Sequence, residues 1–281
     1  MALETNVLLQ GLAFGEGPRW HEGRLWFSDM HAHVVRAVDL DGKAENIVEV
    51  PNRPSGLGWL PDGRLLVVSM VDRRLLRLDP EGLVEVADLG ELTGFHCNDM
   101  VVDRAGRAYV GNFGFDLESG EEPRSTTLVL VTPAGEARVV ADDLMFPNGA
   151  VITPDGSTLI VAESFAGRLS AFDIQPDGGL KARRVWAAVD GMVPDGICLD
   201  AEGAIWVASP LSGEVLRVHE GGDVSERFRP KQAPYACMLG SPDRRTLFVL
   251  TAPTHLPEEA IAKRAGCIET VAVRAPGAGL P

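Results

Sequence analysis

One pattern recurs six times along this chain, and its spacing restricts the fold more than any other feature. A two- or three-residue stretch opens each copy: Glu16-Gly17-Pro18, Ser55-Gly56, Asn98-Asp99, Asn148-Gly149, Asp195-Gly196 and Tyr235-Ala236. An apolar segment follows, then a turn, then a second apolar strand. The second strands align as Arg24–Ser28, Arg64–Val68, Arg107–Gly111, Thr158–Ala162, Ala204–Ala208 and Thr246–Leu250. Turns such as Pro61-Asp62-Gly63, Asp103–Gly106 and Pro154-Asp155-Gly156 carry Asp and Gly. Hairpins want those residues for positive φ or for a side-chain bond to the backbone.

Third strands follow at Val34–Asp39, Arg74–Asp79, Thr127–Val131, Arg168–Asp173, Glu214–Val218 and Ile268–Val273, with more polar fourth strands after the first five. Successive openings are 39, 43, 50, 47 and 40 residues apart. Four strands per unit at a period of about 40–50 residues is the signature of a β-propeller. The expected fold is therefore all-β, a six-bladed β-propeller with four-stranded blades. The last copy has three strands, whereas Asn6–Gln10 is a strand belonging to no copy. This N-terminal strand is expected to close the last blade, leaving no open edge. Pro257–Arg264 is the one short helix candidate, and with no linker or composition shift residues 1–281 read as a single domain.

Apolar residues make up 45% of the chain, enough for a large core, and the net charge is −14. That charge repels phosphate backbones and anionic lipid, so neither nucleic acid nor a membrane surface is an expected partner. Met1–Gly11 has no basic stretch leading into an apolar one, and no run of about 18 apolar residues exists to span a bilayer. Cys97, Cys198, Cys237 and Cys267 lie far apart in sequence without C-x-x-C spacing. Buried, reduced thiols in a cytoplasmic protein are expected.

In a propeller the first strand of each blade lines the central channel, and the loop between strands two and three returns to the same face. The six openings and the loops near Met30-His31, Ser69-Met70, Asn112–Thr126, Ser164-Phe165, Pro210-Leu211 and Pro253–Pro257 should therefore form one funnel. Its floor would hold Glu16, Asn98, Asn148 and Asp195. Two bare carboxylates there repel, and a divalent cation removes the conflict. Oxygen donors suit Ca²⁺, Mg²⁺ or Mn²⁺ better than a zinc site built from His and Cys. Each residue also has a plainer reading: Pro194-Asp195-Gly196 as another turn, Asn148-Gly149 as a hairpin dipeptide, Glu16 as a surface strand end. Separate turns at Asp200–Gly203 and Pro154–Gly156 already fill the hairpin positions of those two units.

His31-x-His33 alternates so that both rings share one strand face; it reads as a strand-end pair with His31 at the pocket mouth. His96, two residues before Asn98, is expected to face the channel with it. Phe113, Phe115, Phe146 and Phe165 read as core or funnel wall, and Asp116–Thr126 as either a lid or a surface loop. The chain has no G-x-x-x-x-G-K-[ST], H-E-x-x-H or G-x-S-x-G motif. The commonest NTPase, zincin and serine-hydrolase mechanisms are therefore disfavoured.

Glu16-Gly17-Pro18 with Trp20, Asn98-Asp99 with Asp103–Gly106, Phe146-Pro147-Asn148-Gly149 and Pro194-Asp195-Gly196 occur in this order at propeller spacing. In this the chain resembles the senescence marker protein / gluconolactonase / luciferin-regenerating enzyme family over essentially its whole length. The resemblance implies one divalent metal in the channel, held by Glu16, Asn148 and Asp195, with Asn98 beside metal and substrate. It implies hydrolysis of sugar or other lactones. The expected cofactor is Ca²⁺ first, with Mg²⁺, Mn²⁺ or Zn²⁺ as alternatives. Asp195 is the expected catalytic residue, as general base or nucleophile. His96, Asp116, His31 and Phe113 join Asn98 as expected substrate contacts. One departure bears on the substrate: His96 stands where some sugar lactonases carry a hydroxyl-binding arginine, which weighs against an aldonolactone. Two other functions fit the same fold, phosphotriester hydrolysis at the same metal and a non-catalytic, calcium-stabilised binding propeller.

Overall fold

The computed structural model of the chain describes residues 4–278. They form six antiparallel sheets of four strands each, arranged as the blades of a propeller. The innermost strands are Gly15–His21, Pro54–Trp59, Cys97–Val102, Pro147–Ile152, Ile197–Leu199 and Ala233–Gly240. Each packs against the next, and the sixth packs against the first, so the ring closes. Asn6–Leu12 pairs with Gly266–Ala272, from Asn6 opposite Thr270 to Leu12 opposite Gly266, and completes the sixth blade as its outer strand.

Burial follows the distance from the axis. Every residue of Cys97–Val102 and Pro147–Ile152 is buried, whereas in outer strands such as Ala44–Glu49 and Leu180–Ala188 most residues are exposed or half-buried. That is why the first and second strands are near-continuous apolar runs and the fourth strands are polar. Apolar cores fill the spaces between blades. Leu12, Phe27, Trp206, Phe248 and Leu250 belong to one cluster that spans the closure, where Trp20 stacks on Phe248 with centroids 5.5 Å apart.

The recurring turn aspartates have one job. Asp103 Oδ1 accepts the amides of Ala105 and Arg107, each at 2.9 Å, and Asp200 Oδ1 accepts those of Glu202 and Ala204 at 2.9 and 3.0 Å. Each carboxylate replaces backbone partners that a tight turn cannot supply. The short helix spans Pro257–Lys263 and packs against the turn Met30–Ala32. Cys97, Cys198 and Cys237 are buried and Cys267 half-buried, all as free thiols. Folding brings Cys198 Sγ to 3.8 Å from Cys237 Sγ. No helix of the described residues is long and apolar enough to cross a membrane.

Candidate functional site

A cavity of about 270 Å³ opens at one end of the channel, and each of the six interstrand loops expected there contributes to the same face. Two tiers of side chains build it, one from the opening residue of each repeat and one from the residue two positions earlier. Apart from Ala233, the residues of this second, upper tier lie in the loops that lead into the innermost strands, so loop geometry rather than strand alternation places them.

The lower tier contains Glu16, Asn98, Asn148, Asp195 and Tyr235, all lining the cavity. Ser55, the sixth, is buried and does not line it. Asn148 Nδ2 donates to Ser164 Oγ at 3.3 Å, and that hydroxyl donates to the Pro194 carbonyl at 2.7 Å. Ser164 thus ties the Asn148 side chain to the segment carrying Asp195. The Asp195 backbone is fixed by its own amide to Ala208 (2.9 Å) and by the Gly149 amide to its carbonyl (3.2 Å).

Gly after the opening residue is explained by close approach. A Cβ on Gly149 would lie 2.6 Å from the Ile197 nitrogen and 2.7 Å from the Asp195 carbonyl oxygen. A Cβ on Gly56 would lie 2.3 Å from the Met100 nitrogen. Neither glycine has positive φ, so Asn148-Gly149 belongs to the innermost strand and is no hairpin turn.

The floor carries more negative charge than it can hold alone. Burial, then the charges of Asp195 and Asp99, push the Glu16 carboxyl well above the usual range. Burial and then Asp99 raise Asp195 to about 8, against a hydrogen bond from Asn148 that lowers it. Burial and both carboxylates raise the Tyr235 phenol to about 12. Asp99 itself is compensated, because Arg19 Nη2 lies 2.8 Å from its Oδ1. Three carboxyl groups face one guanidinium, so Glu16 and Asp195 have no cation beside them to hold them ionised, and Asp195 Oδ1 is buried without a hydrogen-bond partner.

This donor set fits a hard divalent cation: two carboxylates, an amide side chain, an orphaned oxygen and matching charge. Among the described residues no three His, Cys, Asp or Glu side chains converge on one point, and the side-chain amides of Asn98 and Asn148 line the same cavity as Glu16 and Asp195.

The upper tier is Phe14, Arg53, His96, Phe146, Val193 and Ala233. Asp29 accepts the amides of Ala13 and Phe14, both at 3.0 Å, and Glu163 accepts that of Met145 at 2.9 Å. These buried carboxylates set the loops that carry Phe14 and Phe146. Arg53 and Phe146 each adopt the left-handed region, at φ 65 and 59, immediately before a proline. Such strain persists only where the surroundings enforce it.

Of the expected substrate contacts, Asn98, His31 and Phe113 line the cavity; His96 and Asp116 do not. The His96 ring stacks on Phe95 at 4.0 Å and joins an aromatic group with Phe113, and burial lowers its pKa, so it is no charged donor. The Asp116 carboxylate instead accepts the Ser119 amide at 3.0 Å and shapes its own loop, leaving Leu117 and Glu118 to face the cavity. His31 and His33 share no strand face. His31 lies in a 3-10 turn, Met30–Ala32, and His33 ends it with φ 59. His31 Nε2 is 3.1 Å from the His255 carbonyl, and His33 Nδ1 is 2.6 Å from the Pro51 carbonyl. Arg53 and Glu118, paired at 2.6 Å over the pocket, carried no motif that sequence reading would single out.

The chain is similar to proteins of known name. Regucalcin of Danio rerio is 28% identical over 272 residues, covering 90% of this chain and 88% of the relative. The 6-deoxy-6-sulfogluconolactonase of Pseudomonas putida is 26% identical over 288 residues, covering 98% and 96%. The crystal structure of a calcium-binding protein, regucalcin, from Agrobacterium tumefaciens superposes with a TM-score of 0.83 at 23% identity, covering 100% of this chain and 97% of the other. The family model described as SMP-30/Gluconolactonase/LRE-like region matches residues 14–253, and the chain belongs to that family.

Proposed function

We propose that the chain is a divalent-metal-dependent hydrolase that opens a lactone ring, with Glu16, Asn148 and Asp195 as metal ligands and Asp195 as general base. The observation that carries this reading is the floor: two uncompensated carboxylates and an orphaned Asp195 oxygen at the bottom of a cavity of small-molecule size. The substrate class is drawn from the lactonase named among its relatives, and Ca²⁺ as first ion from the calcium-binding one. When bound, the cation would polarise the lactone carbonyl and stabilise negative charge on its oxygen.

Asp195 takes a proton from water as the water oxygen bonds to the carbonyl carbon. The ring C–O bond then breaks, and that proton passes to the leaving alkoxide oxygen. Lactone and water become one hydroxy acid. Asn98, on the cavity wall with its amide 3.4 Å from the Pro147 carbonyl, orients the ring. Ser164 holds Asn148 and the Pro194-Asp195 backbone in register.

A pH-indicator assay of lactone opening before chelation, after chelation, and after return of Ca²⁺, Mg²⁺, Mn²⁺ or Zn²⁺ tests this. Activity should vanish on chelation and return with at least one ion. Full activity in the metal-free protein contradicts the metal dependence. A metal-induced rise in melting temperature with no lactone opened favours a calcium-stabilised binding propeller.

A further inference from the structure

We propose that the lactone this pocket takes carries an apolar substituent in place of sugar hydroxyls; the proposal rests on the lactonase reading above. Hydroxyl groups buried in a site need one donor or acceptor each, and a hydroxyl without one is costly to desolvate. The floor carries Glu16, Asn98, Asn148 and Asp195, where the ester and the metal ligands belong, and the polar groups above it are the Arg53–Glu118 pair, His31, Ser164 and His255. Above it the upper tier presents Phe14, Phe146 and Val193. Phe146 stacks on Phe113 with centroids 4.4 Å apart, and Phe14 meets the Tyr235 ring edge-on at 4.7 Å.

The two upper-tier positions able to bind hydroxyls are otherwise engaged. Arg53 is the one Arg or Lys lining the cavity among the described residues, and Glu118 holds its Nη1 at 2.6 Å. His96 is stacked outside the lining. Where the wall meets solvent it carries Glu118 and His255 together with two apolar residues. Phe165 is 44% exposed and Leu211 82% exposed, and both line the cavity. Phe165 leans on Phe146 at 5.2 Å, so one apolar track runs from above the floor to the rim. A ring ester seated on Asn98 and Asn148 would send its substituent along that track.

The test compares γ-butyrolactones bearing no chain, methyl, propyl or hexyl with D-glucono-δ-lactone, using metal-loaded protein. The matching alkyl γ-lactams, which resist opening, are titrated by calorimetry. Burying one methylene is worth about a fourfold gain, so kcat/KM and lactam affinity should climb roughly fourfold per methylene until the rim is reached. The hexyl lactone should exceed gluconolactone at least tenfold. Leu211→Ser and Phe165→Ser, both at the rim, should each lower the hexyl-to-unsubstituted ratio severalfold.

Preference for gluconolactone with a flat alkyl series overturns the substrate class and leaves the lactonase reading standing. Chain-dependent lactam binding with no lactone opened supports the apolar pocket and overturns the hydrolase reading. A hexyl-to-unsubstituted ratio unmoved in both rim variants overturns the track.

Discussion

Arg19 of the first blade reaches past the second to Asp99 of the third, its Nη2 2.8 Å from Asp99 Oδ1 and both side chains almost wholly shielded. Arg19 also donates to the Pro18 carbonyl at 2.8 Å and to the Met100 carbonyl. A Cβ on Gly56 would fall 2.9 Å from Asp99 Oδ1, the oxygen Arg19 binds, so glycine there leaves that acceptor clear. The pair cancels one carboxylate inside the channel, and what remains on the floor is Glu16 and Asp195 with no cation beside them.

Arg19→Met leaves Asp99 buried and unpaired. We expect a loss of about 3–5 kcal/mol in unfolding free energy by urea denaturation. Asp99→Asn on the Arg19→Met background should recover a large part of it. Equal and additive losses from both substitutions would show that the pair is not coupled.

Gly149→Ala tests the close approach of the innermost strands. The added Cβ meets backbone at the Ile197 nitrogen and the Asp195 carbonyl oxygen, at 2.6 and 2.7 Å, and backbone there cannot swing aside. The expected cost is roughly 1–3 kcal/mol, with a fall in kcat/KM for the folded protein because the Asp195 segment is displaced. Unchanged stability and activity would mean the strands separate freely at this point.

Burial, the largest cause, lowers His31 to about 4; Arg53 and His33 act in the same direction, and the His255 carbonyl and Glu118 oppose them. The unfolded chain takes up that proton near pH 6.5, and the folded protein only near pH 4. Between those values the unfolded state binds more protons, so His31 makes stability fall as pH falls, by up to ~3 kcal/mol. Above pH 6.5 it contributes no slope. Subtracting a His31→Gln denaturation series from the wild type isolates this slope, and a flat difference between pH 6.5 and 4 would contradict it.

The repeat made the ring legible, because every blade has four strands in the same order and five of the six carry an Asp in the turn between the first two. It also marked the floor, since one repeat position supplies Glu16, Asn98, Asn148 and Asp195, and all four line one cavity. The upper tier was harder to read. Its members share a repeat position, but loop geometry decides what they touch. Left-handed backbone at Arg53 and Phe146 turns those side chains over the channel, whereas His96 stacks on its neighbour Phe95. Period-two alternation failed for His31-x-His33 because the chain turns as 3-10 helix there. Asp116 and Glu118 differ in sequence by two positions, and only the turn closed by Asp116 on Ser119 decides which carboxylate faces inward.

The central claim is that Asp195 is held buried and underpartnered for chemistry at a cost in stability. Asp195→Asn removes the ionisable carboxyl and keeps the shape. In metal-free protein its melting temperature should rise above wild type, because the repulsion with Glu16 and Asp99 is relieved. With metal and the best lactone, kcat/KM should fall about 10²–10⁴-fold. Wild-type turnover by Asp195→Asn, or a lower melting temperature in the absence of metal, would contradict the account.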